Sequence, residues 1–171
     1  SGSRIPSART FCGGVGKTSS LLPLALVACG AIEFSGIKAT IKRDVVYAAE
    51  DVDQCKRILH GMTEVAGADP EIIRAHFHLI EAKRKPVHEH KDIQALAEQS
   101  YRENICPNGT FMVPPLVVID TASANIHLEN SSDNSQVSTA VAGARSVYRG
   151  FPLWITTHVA KTLKRADVRD M

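Results

Sequence analysis

The sequence predicts an α/β fold in which a mostly parallel sheet carries helices on both faces. Three short segments, at 44–49, 115–120 and 151–158, are largely apolar, as strands buried on both faces are. Segments with helical spacing of apolar residues separate them, and this alternation is typical of parallel sheets. Aromatic residues make up only 5% of the chain, so we expect a core built mainly from aliphatic side chains.

Length and composition favour a single domain covering residues 1–171. The chain has 44% hydrophobic and 22% charged residues, which is ordinary for a globular protein. Its net charge of +2 is too small to indicate nucleic-acid binding by itself. Because open parallel sheets usually continue with further strands, we expect the chain, which stops at "KTLKRADVRDM", to be a fragment or a domain truncated at its C-terminus.

Hydropathy and cysteine spacing favour a cytoplasmic protein that does not enter a membrane. The most apolar stretch, at 21–32, is too short to cross a bilayer and contains Pro23. The spacing of the four cysteines fits neither a paired zinc motif nor a dense disulfide framework. We therefore expect reduced thiols that are buried or partly buried.

The elements between the apolar strands follow from local signals. "ARTF" (8–11) predicts a short first strand, and Gly30 predicts the end of the helix that follows it. Asp69 and Pro70 together form a helix start signal, and "CPNGT" (106–110) predicts a turn. The predicted helices span 16–29, 52–66, 70–83, 91–103 and a segment from the polar loop 131–136 to about Arg149.

The segment "FCGGVGKTS" (11–19) predicts a phosphate-binding loop that leads into a helix. Gly14 and Gly16 allow backbone N–H groups to point at phosphates, and the helix directs its positive end to the same place. Lys17 supplies a positive charge for the outer phosphates, and Thr18 supplies a hydroxyl for Mg²⁺. Phe11 stands where such a loop normally opens with glycine, which affects the geometry of the turn more than its chemistry. A chance glycine turn is the alternative.

Two predicted strands deliver carboxylates at their carboxyl ends, which is the edge where parallel sheets bind ligands. Asp120 ends the strand "LVVID", and a carboxylate there can hold Mg²⁺ beside a phosphate loop. Glu50 and Asp51 follow the strand "VVYAA". We assign Glu50 to orienting or deprotonating a water, and Asp51 or Asp53 to the start of the next helix.

The histidines offer two further hypotheses. Thr157 and His158 end the last strand, where they can contact a γ-phosphate or the attacking water, although a structural histidine is about equally expected. On the predicted helix 70–83, residues two apart do not share a face, so the first of two His-x-His pairs diverges. The second pair could bind a metal if its segment is extended, but with no cysteine or carboxylate at suitable spacing a zinc site is not favoured. Those pairs are His76 with His78 and His88 with His90.

Four motifs, "GGVGKTS", "VVYAAED…KRILHGM", "LVVIDTASANIHLENSSDNS" and "ITTHVAK", occur in the order found in one group of ATPases. Over about residues 11–161 the chain resembles RecA-like ATPases of the RepA-type replicative-helicase group, near the DnaB- and KaiC-like proteins. The resemblance implies a RecA-like P-loop domain in which Glu50 is the catalytic glutamate, Asp120 organises Mg²⁺, and His158 belongs to a histidine pair. The residues it implies for ATP binding are Gly13, Gly14, Val15, Gly16, Lys17, Thr18 and Ser19, with Arg57 near the adenine.

The resemblance also implies a homo-oligomeric ring, such as a hexamer, that acts on single-stranded DNA. The loop 122–135 matches the region facing the central channel, and Lys161, Lys164 and Arg165 follow at the same face, where they can meet phosphates. The arginine finger of such rings usually lies beyond Met171, so we expect the chain alone to bind ATP and hydrolyse it poorly. The alternatives are a non-hydrolysing nucleotide sensor, favoured by Phe11 and Thr157, and a small-molecule kinase, for which 74–85 is the only candidate lid.

Overall fold

A computed structural model describes residues 17–104, 112–127 and 134–157. Within these residues four parallel strands form one sheet in the order β2-β1-β3-β4. The strands are β1 (Val45–Ala49), β2 (Phe77–Glu81), β3 (Leu116–Asp120) and β4 (Leu153–Ile155). The predicted parallel α/β architecture is confirmed, while the predicted strand at 8–11 and the turn at 106–110 lie outside the described residues.

The register of the two central strands fixes the position of the candidate site. Every residue of β1 and of β3 is buried, as expected for apolar strands covered on both faces. Val45 pairs with Leu116, and Ala49 pairs with Asp120, so the two strands end side by side. The residue that follows β1, Glu50, therefore comes next to Asp120 at the carboxyl edge of the sheet.

Helices cover both faces of the sheet, as the sequence predicts. One core cluster joins Tyr47 and Val118 to Leu22 and Leu26, which lie on the first described helix. The other cluster joins Val46 and Ile119, which alternate with them along the strands, to residues of α4 and α6. The helices are α1 (Lys17–Cys29), α2 (Val52–Glu64), α3 (Pro70–His76), α4 (Lys91–Glu103), α5 (Ala122–Asn125) and α6 (Asn134–Val147), with a 3-10 turn at Val87–Glu89. None of the described helices combines the length and apolarity required to cross a bilayer.

The predicted end of a helix at Gly30 and the predicted start of a helix at Asp69 are both confirmed. Gly30 adopts φ 78°, a conformation that other residues rarely take, and a Cβ there would lie 2.5 Å from the Lys42 side chain. The Asp69 side chain accepts hydrogen bonds from the N–H groups of Glu71 and Ile72, with Pro70 in the first turn of α3.

The predicted helix over 70–83 is wrong in its second half. α3 ends at His76, and Phe77–Glu81 form β2, which pairs with all five residues of β1. The segment has helical apolar spacing, but the backbone partners that β1 offers decide its conformation. The edge position of β2 explains why only Phe77 of this strand is buried.

The same change of conformation brings His76 and His78 together at Asp44. His76 Nδ1 lies 2.8 Å from Asp44 Oδ1, and His78 Nε2 lies 3.7 Å from Oδ2. The expectation that these histidines diverge on one helix is therefore wrong. Burial alone would raise the pKa of Asp44, but hydrogen bonds from His78, His76 and Ser100 outweigh it and hold that pKa below its ordinary value. Asp44 precedes β1, so this cluster lies at the sheet edge opposite Asp120.

We expect Asp44→Asn to lower the free energy of unfolding at pH 7 by about 1–3 kcal/mol, because hydrogen bonds to a charged acceptor are weakened. A group whose folded pKa is lowered stabilises the protein above its unfolded pKa, which is about 3.9 for Asp. The difference in the free energy of unfolding between wild type and variant should therefore have its full size at pH 7 and shrink as the pH falls below about 4. Urea unfolding across this range measures it.

The matched control is Asp53→Asn, because the Asp53 side chain is 81% exposed and lies 3.9 Å from Lys56. This substitution should change stability little, as exposed pairs contribute little. Equal effects of the two substitutions at pH 7 would contradict the stabilising role of the Asp44 cluster.

Candidate nucleotide and metal site

The candidate site lies at the carboxyl edge of β1, β3 and β4, where the first turn of α1 meets the sheet. Thr18 comes from that first turn, Glu50 follows β1, Asp120 ends β3 and Thr156 follows β4. The Thr18 and Thr156 side chains hydrogen-bond to the Asp120 carboxylate, and Glu50 is joined to Asp120 through its backbone N–H. Glu50 and Asp120, two of the carboxylates that the sequence predicts at this edge, therefore lie side by side.

Asp120 is the centre of this group. Its residue is 2% exposed, and three hydroxyls among the described residues donate to its carboxylate. The Thr18 and Tyr47 hydroxyls each lie 2.7 Å from Oδ2, and the Thr156 hydroxyl lies 2.7 Å from Oδ1. Donors to both oxygens offset the loss of hydration that burial of a carboxylate entails.

The contact between Thr18 and Asp120 joins two residues that the sequence predicts as Mg²⁺ ligands. Thr18 lies near the N-terminus of α1, where the helix dipole is positive and favours anions. A hydroxyl and a carboxylate supply only oxygen atoms, which are the ligands that Mg²⁺ prefers in proteins. The donor set therefore fits a magnesium ion, and the roles of both residues remain predictions.

Sequence reasoning missed two members of the group, Tyr47 and Thr156. Tyr47 lies in the middle of β1, for which the sequence predicts only a buried strand, and the residues predicted to act after β4 are Thr157 and His158. Burial, and then the negative charge of Asp120, raises the pKa of the Tyr47 phenol, so that it stays protonated and donates. A lone tyrosine in an aliphatic strand was the signal available, because a buried phenol usually needs a hydrogen-bond partner.

Glu50 is exposed and lies beside the buried Asp120. Its backbone N–H donates to the Asp120 carbonyl over 2.7 Å, and the Thr121 hydroxyl donates to its Oε2 over 2.9 Å. Thr121 thus holds one Glu50 oxygen while the carboxylate stays accessible to solvent. Asp51 is the N-cap of α2 and accepts from the Gln54 N–H at 2.8 Å, as one of the two predicted alternatives requires.

The segment after β3 is anchored by a buried histidine. His90 is 2% exposed, and its Nε2 lies 2.8 Å from the Asn125 carbonyl and 3.1 Å from the Lys85 carbonyl. The Asn125 side chain in turn donates to the Thr121 carbonyl over 3.0 Å. His90 therefore acts within the fold, and in the described parts of the chain no cluster of three or more His, Cys, Asp or Glu has metal-site geometry.

The remaining predicted residues are described in part or not at all. Ser19 lies exposed on α1, and Arg57 lies exposed on α2. Lys17 begins α1, and Thr157 is half-buried after β4. The predicted residues that lie outside the described residues are Phe11, Gly13, Gly14, Val15, Gly16, the Lys17 side chain, His158, Lys161, Lys164 and Arg165.

Comparison with protein families supports a nucleotide-binding fold. The chain matches the family model AAA_25, described as an AAA domain, over residues 12–163. Because the match covers most of the chain, the chain belongs to this family. It is thus a nucleotide-binding domain of the P-loop ATPase superfamily, a coarser assignment than the RepA-type group. A sequence search of the curated proteins finds no match.

Proposed function

We propose, from the resemblance of its four motifs, that this P-loop domain is the ATPase domain of a RepA-type replicative helicase or a helicase-like ATPase. The observation that carries the proposal is the hydrogen bond between Thr18 and the buried Asp120, with Glu50 beside it. A site that only bound a nucleotide would not need an exposed carboxylate next to the candidate metal ligands. This juxtaposition therefore supports hydrolysis as well as binding.

Each residue has a role in the proposed mechanism. Lys17 and the backbone of Gly13–Gly16 bind the phosphates of ATP, and Arg57 contacts the adenine. Thr18 and Asp120 hold Mg²⁺, which when bound neutralises the charge of the β- and γ-phosphates. Glu50 orients a water molecule and accepts its proton, while Thr121 keeps one carboxylate oxygen in place. His158 contacts the γ-phosphate and couples it to the neighbouring loops.

The proposed coupling to DNA rests on the resemblance to ring ATPases. Thr121 connects the candidate site to the loop 122–135 that directly follows it, because its hydroxyl donates to Glu50 while its carbonyl accepts from Asn125 within that loop. A change at the γ-phosphate can therefore reach the predicted DNA-facing loop through a short covalent path. Lys161, Lys164 and Arg165 would bind the phosphates of single-stranded DNA in a homo-oligomeric ring.

We expect a Lys161→Ala/Lys164→Ala/Arg165→Ala variant to bind oligo-dT more weakly and with a smaller salt dependence. Each lost phosphate contact removes about 0.7 from the slope of log K against log salt, so the slope should fall by roughly two. Fluorescence anisotropy of labelled oligo-dT over a salt series measures it, with ATP turnover followed in parallel.

The control is Lys83→Ala/Lys91→Ala/Arg102→Ala, which removes the same charge from exposed residues of β2–α4. Equal loss of binding in both triple variants would contradict a DNA site at 161–165 and indicate attraction by net charge alone. Wild-type protein that binds ATP but neither binds DNA nor hydrolyses ATP would favour the second candidate, a nucleotide sensor, which the Phe11 substitution in the loop also favours.

A further inference from the structure

We infer that Tyr47 is a positioning residue that fixes the Asp120 carboxylate for its metal, an inference that rests on the proposed function. The Tyr47 hydroxyl donates to Asp120 Oδ2 over 2.7 Å. Among the described residues, the Tyr47 side chain hydrogen-bonds to Asp120 and not to Glu50. Its effect on the nucleotide would therefore pass through Asp120.

The sheet places the phenol at this carboxylate. Tyr47 pairs with Val118 and Ala49 pairs with Asp120, so Tyr47 and Asp120 lie on the same face, two residues apart along the strands. The Tyr47 ring is fully buried and packs against Phe77, with ring centroids 5.7 Å apart. Packing of this kind leaves the hydroxyl little freedom to leave Oδ2.

Tyr47 differs from the other two donors in where it is anchored. Thr18 lies in the first turn of α1, next to the predicted phosphate loop, and Thr156 follows the short strand β4, at one end of the sheet that the described residues form. Both belong to segments that border the candidate nucleotide site. Tyr47 belongs to the centre of the sheet, so it is the donor that keeps Asp120 oriented when the Thr18 oxygen is used as a metal ligand.

A purely structural role is the alternative, because any buried carboxylate benefits from a donor. The two roles differ in what they predict for magnesium. A structural donor affects stability alone, whereas a positioning donor affects the magnesium concentration that nucleotide binding requires. Partners that orient metal ligands typically change metal affinity by about 10- to 100-fold when they are removed.

The test is Tyr47→Phe, which removes only the hydroxyl. Binding of a fluorescent ATP analogue is titrated with Mg²⁺, and the half-saturating Mg²⁺ concentration is compared with that of wild type. We expect it to rise about 10-fold, with binding in EDTA unchanged. Asp120 keeps the Thr18 and Thr156 hydroxyls, so the variant should fold, and circular dichroism verifies this.

The matched control is Tyr148→Phe. Tyr148 is another buried tyrosine, but its hydroxyl faces His90 Nδ1 at 3.4 Å on the opposite face of the sheet. The Tyr148→Phe substitution should leave the Mg²⁺ dependence of nucleotide binding unchanged. An unchanged half-saturating Mg²⁺ concentration in Tyr47→Phe, or an equal rise in Tyr148→Phe, would overturn the inference.

Two further measurements keep the result unambiguous. In an Asp120→Asn background the Tyr47→Phe substitution should have no further effect on Mg²⁺ dependence, and an additive effect would contradict action through Asp120.

If Tyr47→Phe lowers stability, thermal unfolding with nucleotide replaces the titration. For each protein, the Tm with Mg²⁺ and nucleotide is compared with the Tm of the same protein with nucleotide and no metal. If wild type itself shows no Mg²⁺-dependent binding, the proposed function fails, whereas an unaffected variant beside a responsive wild type rejects only the role of Tyr47.

Discussion

Glu50→Gln is expected to lower ATP turnover by about 100- to 10,000-fold, the usual contribution of a general base, while leaving Mg-ATP binding near wild type. Glutamine has nearly the same shape and still offers a carbonyl oxygen to the Thr121 hydroxyl, which donates to Glu50 Oε2 over 2.9 Å. The side chain should therefore keep its place and lose only its ability to accept a proton. Phosphate release from excess ATP measures turnover, and a fluorescent ATP analogue measures binding.

Glu64→Gln is the matched control, because Glu64 is an exposed glutamate at the end of α2, the helix that follows Glu50. The Glu64→Gln variant should hydrolyse ATP at the wild-type rate. Wild-type turnover in Glu50→Gln would contradict the assignment of Glu50 as the base. Tight ATP binding without any turnover in the wild-type protein would instead favour the nucleotide-sensor alternative over the motor.

Much of the fold could be predicted because its two central strands, β1 and β3, are largely apolar. β1 and β3 are buried on both faces, and the apolar runs in their sequences indicate this burial. The edge strand β2 has no such signal, because only one of its five residues is buried and its neighbours form a helical pattern. Its conformation depends on pairing with β1, a contact between distant residues that local spacing does not encode.

The candidate site divides in the same way. The proximity of Glu50 and Asp120 could be predicted, because residues that end neighbouring parallel strands meet at one edge. The contacts of Tyr47 and Thr156 with Asp120 could not, because they depend on register and on which face each side chain occupies. The meeting of His76 and His78 at Asp44 escaped prediction for the same reason.

Lys17→Ala is expected to weaken Mg-ATP binding by about 10- to 150-fold, the equivalent of one charged hydrogen bond of about 1.5–3 kcal/mol. Lys17 is the first residue of α1, and its neighbour Thr18 is bonded to Asp120 at 2.7 Å. That bond anchors the helix N-terminus at the carboxyl edge, where the predicted loop requires the lysine. Titration of a fluorescent ATP analogue with Mg²⁺, on wild type and variant in parallel, measures the loss.

Lys56→Ala is the control for charge, since Lys56 is an exposed lysine on α2 that lies 3.9 Å from Asp53. Equal affinities in wild type and Lys17→Ala would contradict a working phosphate loop, whatever the family. Absence of ATP binding in both proteins would make Phe11 a candidate cause, because glycine at this position normally opens the loop. In that case Phe11→Gly separates two causes: restored binding identifies Phe11 as the obstacle, whereas continued absence indicates that the site needs a neighbouring subunit.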